Sequence, residues 1–434
     1  MKEIRQAQQI LTSFQGRSDT RLRLFLNRRL ACLPPECRAA VTRLVYGVIR
    51  EQEALDALIE ARTSRGELRV STAGRTLLRI GAFILRHTPG KPEYAVVNEV
   101  VDAARQRERG FINALMRRLA RDRGGLTAEI AAISDPARRH SLSPLLVAEL
   151  ARLVEDPASL LKRFDREPVF HLRVHGGRAR DGEIEAELND LGCGFRRLDR
   201  FPCYEIDDPA TVLQRIVEPG RGYLQNTASQ LISLIAAGRA RTGLFDACAA
   251  PGTKSLTAHL ARPDLRIVAS DLNPRRLRLL DRFLDPRDAG LQRLATDITA
   301  PGLRPDRLAP FDTVLVDAPC SAAGTLRKNP DLKLKIDAGT VADRAEGQRT
   351  ILEAALRLFP GAVVIYAVCT FTEAETEGVV DAVAGHGCEV LSGEAAGTLE
   401  RLGFSHRAGR YGLTLLPDED LQNDMFYIAL LRRS

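Results

Sequence analysis

Two cysteines stand at the carboxyl ends of two apolar runs. FDTVLVDAPC ends in Cys320, preceded by Asp317 and Pro319, and GAVVIYAVC ends in Cys369. The thiolate is the reactive form of cysteine, and a nearby positive charge favours it. Lys254, Arg327 and Lys328 are candidates to supply that charge. A single cysteine after a strand is more often packing than chemistry. Two of them, ending strands that an open sheet would set side by side, point to sulfur chemistry on a substrate.

Upstream lies LFDACAAPGTK, whose small-residue turn comprises Cys248, Ala249, Ala250, Pro251, Gly252, Thr253 and Lys254. Gly252 lets the backbone approach a ligand closely, and amides at the following helix start can face a carboxylate or phosphate. The turn is neither GxGxxG nor a Walker loop, since the GxxxxGK spacing is missing. Asp271 ends the next strand, 19 residues after Gly252, where an acid suits the two hydroxyls of a ribose. Asp297, in ATDIT, ends a third strand. It is placed either to bond an adenine edge or to cap a turn.

These residues need a sheet to assemble them. From about residue 223 strands and helices alternate: Leu244–Asp246, a helix from Ser255, Arg266–Asp271, a helix over Arg275–Leu284, Leu294–Ile298, Thr313–Asp317 and Ala362–Val368. The last two are continuously apolar, as strands covered on both faces are. Residues 411–417 and 424–432 form a closing antiparallel hairpin. In such an α/β fold ligands gather at the carboxyl ends of the strands, so one crevice receives the turn and both thiols.

The rest of the chain reads differently. Residues 1–125 are helical, with Val41, Leu44, Val45, Val48 and Ile49 on one face, then Leu77, Ile80 and Ile84 on another. Residues 126–165 are a helical connector. Residues 166–222 are a small α+β module bearing Arg173, Arg178, Arg196, Arg197 and Arg200. Residues 223–434 carry the parallel sheet. At 434 residues, several domains are expected. The loop SAAGTLRKNPDLK after Cys320 lies at the face where binding groups gather.

Charge is unevenly placed. Residues 1–125 hold 24 Lys/Arg against 13 Asp/Glu, whereas the remainder holds 39 against 43. A basic front end on a near-neutral body favours a polyanionic partner, nucleic acid first. No apolar run reaches the ~20 residues that span a bilayer, and MKEIRQAQQILTSF lacks a signal-peptide core. A cytoplasmic protein is expected. The eight cysteines form no CxxC pair and no zinc set, so neither a metal site nor disulfides are expected.

DACAAPGTK, DAPCSAAGTLRKNPD and YAVCTFTEAETE resemble the cofactor turn and the two cysteine motifs of RNA cytosine-5 methyltransferases. LVYGVIREQEALDALI, LLRIGAFILR, EYAVVNEVVDAA and GFINALMRRLAR resemble the NusB-type RNA-binding bundle. Together, over nearly the whole chain, they resemble the bacterial RsmB (Sun, Fmu) family, which methylates 16S ribosomal RNA. The resemblance implies an all-α NusB-like bundle, a small α+β module and a Rossmann-like class I methyltransferase domain with a mostly parallel sheet. It implies S-adenosylmethionine as cofactor and RNA as partner, with a monomer as the default. By resemblance Cys369 is the nucleophile that attacks carbon 6 of cytosine. Cys320 releases product by removing the carbon 5 proton. Asp317 holds the cytosine near ring nitrogen 3 and borders the cofactor. Cys248 through Lys254 form the cofactor turn, with Asp271 at the ribose and Asp297 on the adenine side. Gln225, in LQNTASQL, takes no assigned role.

The chain departs from the family pattern in places. GTK replaces GGK, so Thr253 narrows the approach to the methionine part of the cofactor. AVCT replaces STCS, so Thr370 keeps one hydroxyl beside Cys369, and NDMFYIALL replaces a DGFFYA-like strand. A transfer RNA cytosine-5 methyltransferase and an RNA-binding platform with an inactive methyltransferase domain are the alternatives.

Overall fold

The computed structural model describes residues 2–15, 21–63, 68–176, 180–284, 290–300, 311–385 and 387–433; Arg178 of the basic set lies outside them. The chain divides into two compact units. One joins Met1–Arg166 to Leu326–Asp337, and the other joins Glu167–Thr325 to Ala338–Ser434.

The first unit is helical, running from Lys2–Phe14 to Pro157–Asp165. Its core takes the residues that the 3.6-residue period selects, including Val41, Val45, Val48, Leu77, Ile80, Val96, Val100, Ile112 and Leu119. Phe111, at the start of the helix that supplies Ile112 and Leu119, is 37% exposed. Side-chain caps start its later helices. Asp135, Ser143 and Asp156 each accept an amide N–H at a helix start, and proline follows at the first helical position. Those oxygens satisfy donors that have no partner inside the helix, and proline there lacks a donor to lose.

The loop expected over 321–333 is divided: residues 326–337 are part of this helical unit, and 321–325 belong to the other. Asp331 accepts the amide of Leu22 at 3.1 Å. Lys333 donates to the carbonyls of Arg50 (3.1 Å) and His140 (2.9 Å) and lies 3.7 Å from the Asp165 carboxylate. Lys335 stacks over the ring of Phe14. Burial pushes the Lys333 ammonium down to about 8. Nothing in the local sequence signals this docking, because a Lys-rich segment reads as solvated.

The second unit holds two sheets. Strands β1 (Phe170–Val174), β2 (Phe195–Leu198), β3 (Cys203–Ile206) and β4 (Gly222–Leu224) form an antiparallel sheet in the order β2-β3-β1-β4. The larger sheet uses β5 (Gly243–Asp246), β6 (Arg266–Asp271), β7 (Leu291–Ala295), β8 (Thr313–Asp317), β9 (Val363–Val368), β10 (Cys388–Val390), β11 (His406–Ala408), β12 (Leu413–Leu415) and β13 (Phe426–Arg433). Strands β9-β8-β5-β6-β7 are parallel neighbours, whereas β13 pairs antiparallel with β9, followed by β12 and β11. Alternate residues face two cores. Leu315, Ile365 and Ala367 point into one, and Val314, Val316, Val364, Tyr366 and Val368 into the other. This two-sided burial explains the unbroken apolar runs.

Two expectations shift. The strand expected over Leu294–Ile298 is β7, Leu291–Ala295, an edge strand with Leu291 as its one buried residue, so its pattern was weak. Asp297 therefore stands two residues past the strand. The helix expected over Arg275–Leu284 is a short turn of helix, Pro274–Leu277, followed by 3-10 turns to Arg282.

The Lys333 burial has a pH consequence. Its folded pKa lies below its unfolded value near 10.4, so between about pH 8 and 10.4 the unfolded chain binds the extra proton. Stability should rise with pH across that window, by about 3 kcal/mol at most. Thermal unfolding of Lys333→Met against wild type checks this: the variant should lose that rising component.

Candidate active site

The small-residue turn follows β5 and is fixed by backbone bonds. Ala249 donates its N–H to Ser270 O at 2.8 Å, and Ala250 to Asp271 Oδ2 at 2.9 Å. Gly252 takes φ +99° as the cap of the helix Thr253–Ala261. A Cβ there would lie 2.3 Å from Leu280 Cγ. The glycine therefore answers a left-handed backbone and a close side chain of the protein itself. Thr253 opens the helix and is half-buried.

Four carboxylates line the ends of β5 to β8. Asp271 accepts Ala250 N–H on one oxygen and Asn273 N–H (2.8 Å) on the other. A carboxylate has roughly four acceptor positions, so two remain for hydroxyl donors. Asp297 accepts the Thr299 amide (2.9 Å) and hydroxyl (2.6 Å), both on Oδ1; it does cap a turn. Asp246, which sequence reasoning left out, is fully buried and accepts Ser255 Oγ at 2.5 Å. Burial raises its carboxyl to about 7. Burial, then the charges of Asp246, Asp317, Asp271 and Asp297, push the Cys248 thiol far up. Cys248 thus sits neutral among acids, in surroundings that favour a cation.

Asp317 ends β8 and receives Lys254 Nζ at 2.6 Å. Burial works to lower the lysine, but Asp317, then Cys369 and Asp246, outweigh it and hold the ammonium above its ordinary range. Lys254 also lies 5.4 Å from the centre of the Phe426 ring. Of the three cations proposed for the thiols, Lys254 is paired with Asp317 in this unit, and Arg327 and Lys328 fall within the bounds of the helical unit.

The two thiols meet. Strands β8 and β9 pair in parallel with Asp317 opposite Ala367, and just beyond that pair Cys320 Sγ and Cys369 Sγ are 3.2 Å apart. Both residues are half-buried. The hydrogen bond to Cys369, burial, and the charges of Cys369 and Glu375 all raise Cys320. Cys320 is therefore the thiol of the pair that holds its proton more tightly than a free cysteine.

Gln225 has a clear structural task. Its Oε1 accepts Thr257 Oγ1 at 2.6 Å and its N–H donates to His171 O, tying the small sheet to the helix after the turn. Sequence reasoning also passed over the hydroxyl and amide cluster around Glu375, because a glutamate at a helix start reads as solvated.

Residues 234–432 match the family model described as 16S rRNA methyltransferase RsmB/F, and residues 2–121 match the NusB family. Ribosomal RNA small subunit methyltransferase B of Vibrio cholerae is 29% identical over 92% of this chain and 90% of its own. A Mycobacterium tuberculosis protein described as a methyltransferase is 32% identical over 81% of this chain and 80% of its own. The chain belongs to the RsmB/F 16S rRNA methyltransferase family. The solved structure of PH0851 superposes with a TM-score of 0.70 at 19% identity, over 100% of this chain and 98% of that one. NSun6 from Pyrococcus horikoshii, solved with SFG, gives 0.53 at 18% identity over 67% and 98%. These likenesses show the fold, a methyltransferase fold with a mostly parallel sheet.

RsmB/F members are RNA methyltransferases, and their methyl donor is S-adenosylmethionine. The acid-rich crevice around Cys248 suits the sulfonium and ammonium charges of that donor, and Asp271 keeps free acceptor positions for hydroxyls. No helix among the described residues is long and apolar enough to cross a membrane.

Gly252→Ala should lower stability by roughly 1–3 kcal/mol, from left-handed strain together with the clash at Leu280. It should weaken S-adenosylmethionine binding in parallel. Chemical denaturation and calorimetric titration check both effects.

Proposed function

We propose that this protein methylates carbon 5 of a cytosine in 16S ribosomal RNA through a covalent adduct on Cys369. The observation that carries the reading is the 3.2 Å contact between Cys369 and Cys320 beside the Lys254–Asp317 pair. A cytosine ring is a poor carbon nucleophile. Attack of the Cys369 thiolate on carbon 6 moves the ring electrons to carbon 5, which can then take a methyl group. S-adenosylmethionine, when bound, supplies that methyl as a positively charged sulfonium substituent. Asp317, held by Lys254, is placed to bond the ring near nitrogen 3, where negative charge or a proton must be accommodated as the adduct forms.

Product release needs a base for the carbon 5 proton. Cys320 fills that role in two stages. Before attack, its hydrogen bond to Cys369 and the charge there keep it protonated. Once Cys369 is a thioether, that charge is gone and Cys320 ionises more readily. It then takes the proton, the electrons return to the ring, and the Cys369–carbon 6 bond breaks. The substrate nucleotide must leave its stack to reach both sulfurs. The basic helical unit supplies sequence-independent attraction to RNA phosphates. Asp271 and Asp297 are assigned to the adenosine half of the donor, and the 248–254 turn to its methionine half. The 16S target, over transfer RNA, is supported by the relatives named as small subunit methyltransferases and by the NusB match.

RNA carrying 5-fluorocytosine tests the chemistry, because fluorine replaces the proton that Cys320 must remove. With S-adenosylmethionine, the wild type should form a denaturation-stable protein–RNA adduct mapping to Cys369. Cys369→Ala should form none and lose roughly 10³-fold or more in rate. Cys320→Ala should accumulate a covalent complex even with ordinary RNA. An undiminished adduct in Cys369→Ala would overturn the assignment.

A further inference from the structure

Behind the two thiols lies a buried carboxylate that the reaction above does not use. Glu375 is fully buried. Its Oε1 accepts the Ser321 amide at 2.8 Å and Gln348 Nε2 at 2.9 Å. Its Oε2 accepts the hydroxyls of Ser321 (2.5 Å), Thr372 (2.9 Å) and Thr370 (3.3 Å). Ser321 directly follows Cys320, and Thr370 directly follows Cys369; their hydroxyls are 3.0 Å apart. Gln348, from the helix Ala338–Leu358, also donates to Pro319 O at 3.0 Å, just before Cys320. Tyr366 of β9 donates to Glu375 O at 2.7 Å.

This arrangement is one acceptor with donors drawn from both thiol loops. The regular pairing of β8 with β9 ends at Asp317 and Ala367; beyond it backbone bonds from Ala318 to Ala367 O (3.1 Å) and from Gly324 to Cys369 O (3.0 Å) join the loops, and the Glu375 cluster adds the side-chain tie. The hydroxyls of Ser321, Thr370 and Thr372 all donate to Glu375. The thiols are left to bond each other. A buried carboxylate that bonds five donors is costly to disturb, because each donor would lose its partner. Resting on the covalent reading above, we propose that Glu375 is a positioning residue that clamps the Cys320 and Cys369 loops together and so sets the division of labour between the thiols.

The charge of Glu375 acts in the same direction as its geometry. The charges of Cys369 and Glu375 act on Cys320, Cys320 acts on Tyr366, and Lys254 responds to Asp317 and Cys369. Removing the carboxylate, or letting the loops part, makes Cys320 easier to ionise.

Glu375→Gln is the test, with alkylation of each cysteine followed against pH by mass spectrometry. That readout needs no RNA. The Cys320 alkylation midpoint should move to lower pH, with Cys320 and Cys369 reacting independently. In turnover kcat should fall roughly 30-fold or more, while KM for RNA and affinity for S-adenosylmethionine stay within about threefold. Thr370→Val, which keeps shape and removes one donor, should show the same changes in smaller degree, and it decides the matter if Glu375→Gln fails to fold. Wild-type alkylation profiles and wild-type kcat in a folded variant would overturn the clamp. Absence of an adduct in the wild type with 5-fluorocytosine RNA would instead overturn the covalent reading, and the alkylation profiles would still judge the clamp.

Discussion

The contact on which the rest depends is between two sulfur atoms. Parallel strands in register deliver equivalent positions to the same edge of a sheet, and β8 and β9 deliver Asp317 and Ala367 side by side. A few residues further on, Cys320 and Cys369 touch at 3.2 Å. Two thiols at that distance cannot both be ionised at low cost, and the proposed mechanism makes one the proton holder and the other the nucleophile. The hydrogen bond to Cys369, burial, and the charges of Cys369 and Glu375 all push the Cys320 thiol up. The Lys254 ammonium, held by Asp317, lies where its charge couples to Cys369.

The donor side of the crevice follows a different logic. Asp246, Asp271, Asp297 and Asp317 all influence the Cys248 thiol. A site that gathers acids around a neutral thiol is prepared for a positively charged guest. Asp271 and Asp297 are already committed to backbone or hydroxyl donors of the surrounding turns. Those bonds fix where the carboxylates point, so their remaining acceptor positions are presented in place without the cost of ordering them during binding.

Much of this was legible in the sequence because two-sided burial leaves unbroken apolar runs. FDTVLVDAPC and GAVVIYAVC marked β8 and β9 almost to the residue, and their terminal cysteines stand where the strand ends required. The glycine turn and Asp271 also fell at strand ends. Edge strand β7 was misplaced, since one buried leucine gives no alternation to read. Asp246 and Glu375 were passed over, because acids are read as surface until the donors around them are seen. The segment 326–337 was the largest miss. It was read as a loop carrying binding groups, whereas Lys333 is buried against carbonyls more than 190 positions away in sequence. Only tertiary packing carries that information.

The most direct test of the shared pocket is bridging by phenylarsine oxide, whose trivalent arsenic binds two thiols only when they are neighbours. Peptide mapping after reaction should show one arsenic joining the Cys320 and Cys369 peptides, lost in either alanine variant and slowed by S-adenosylmethionine. Failure to bridge that pair, or bridging of either sulfur to a different cysteine, would contradict the account.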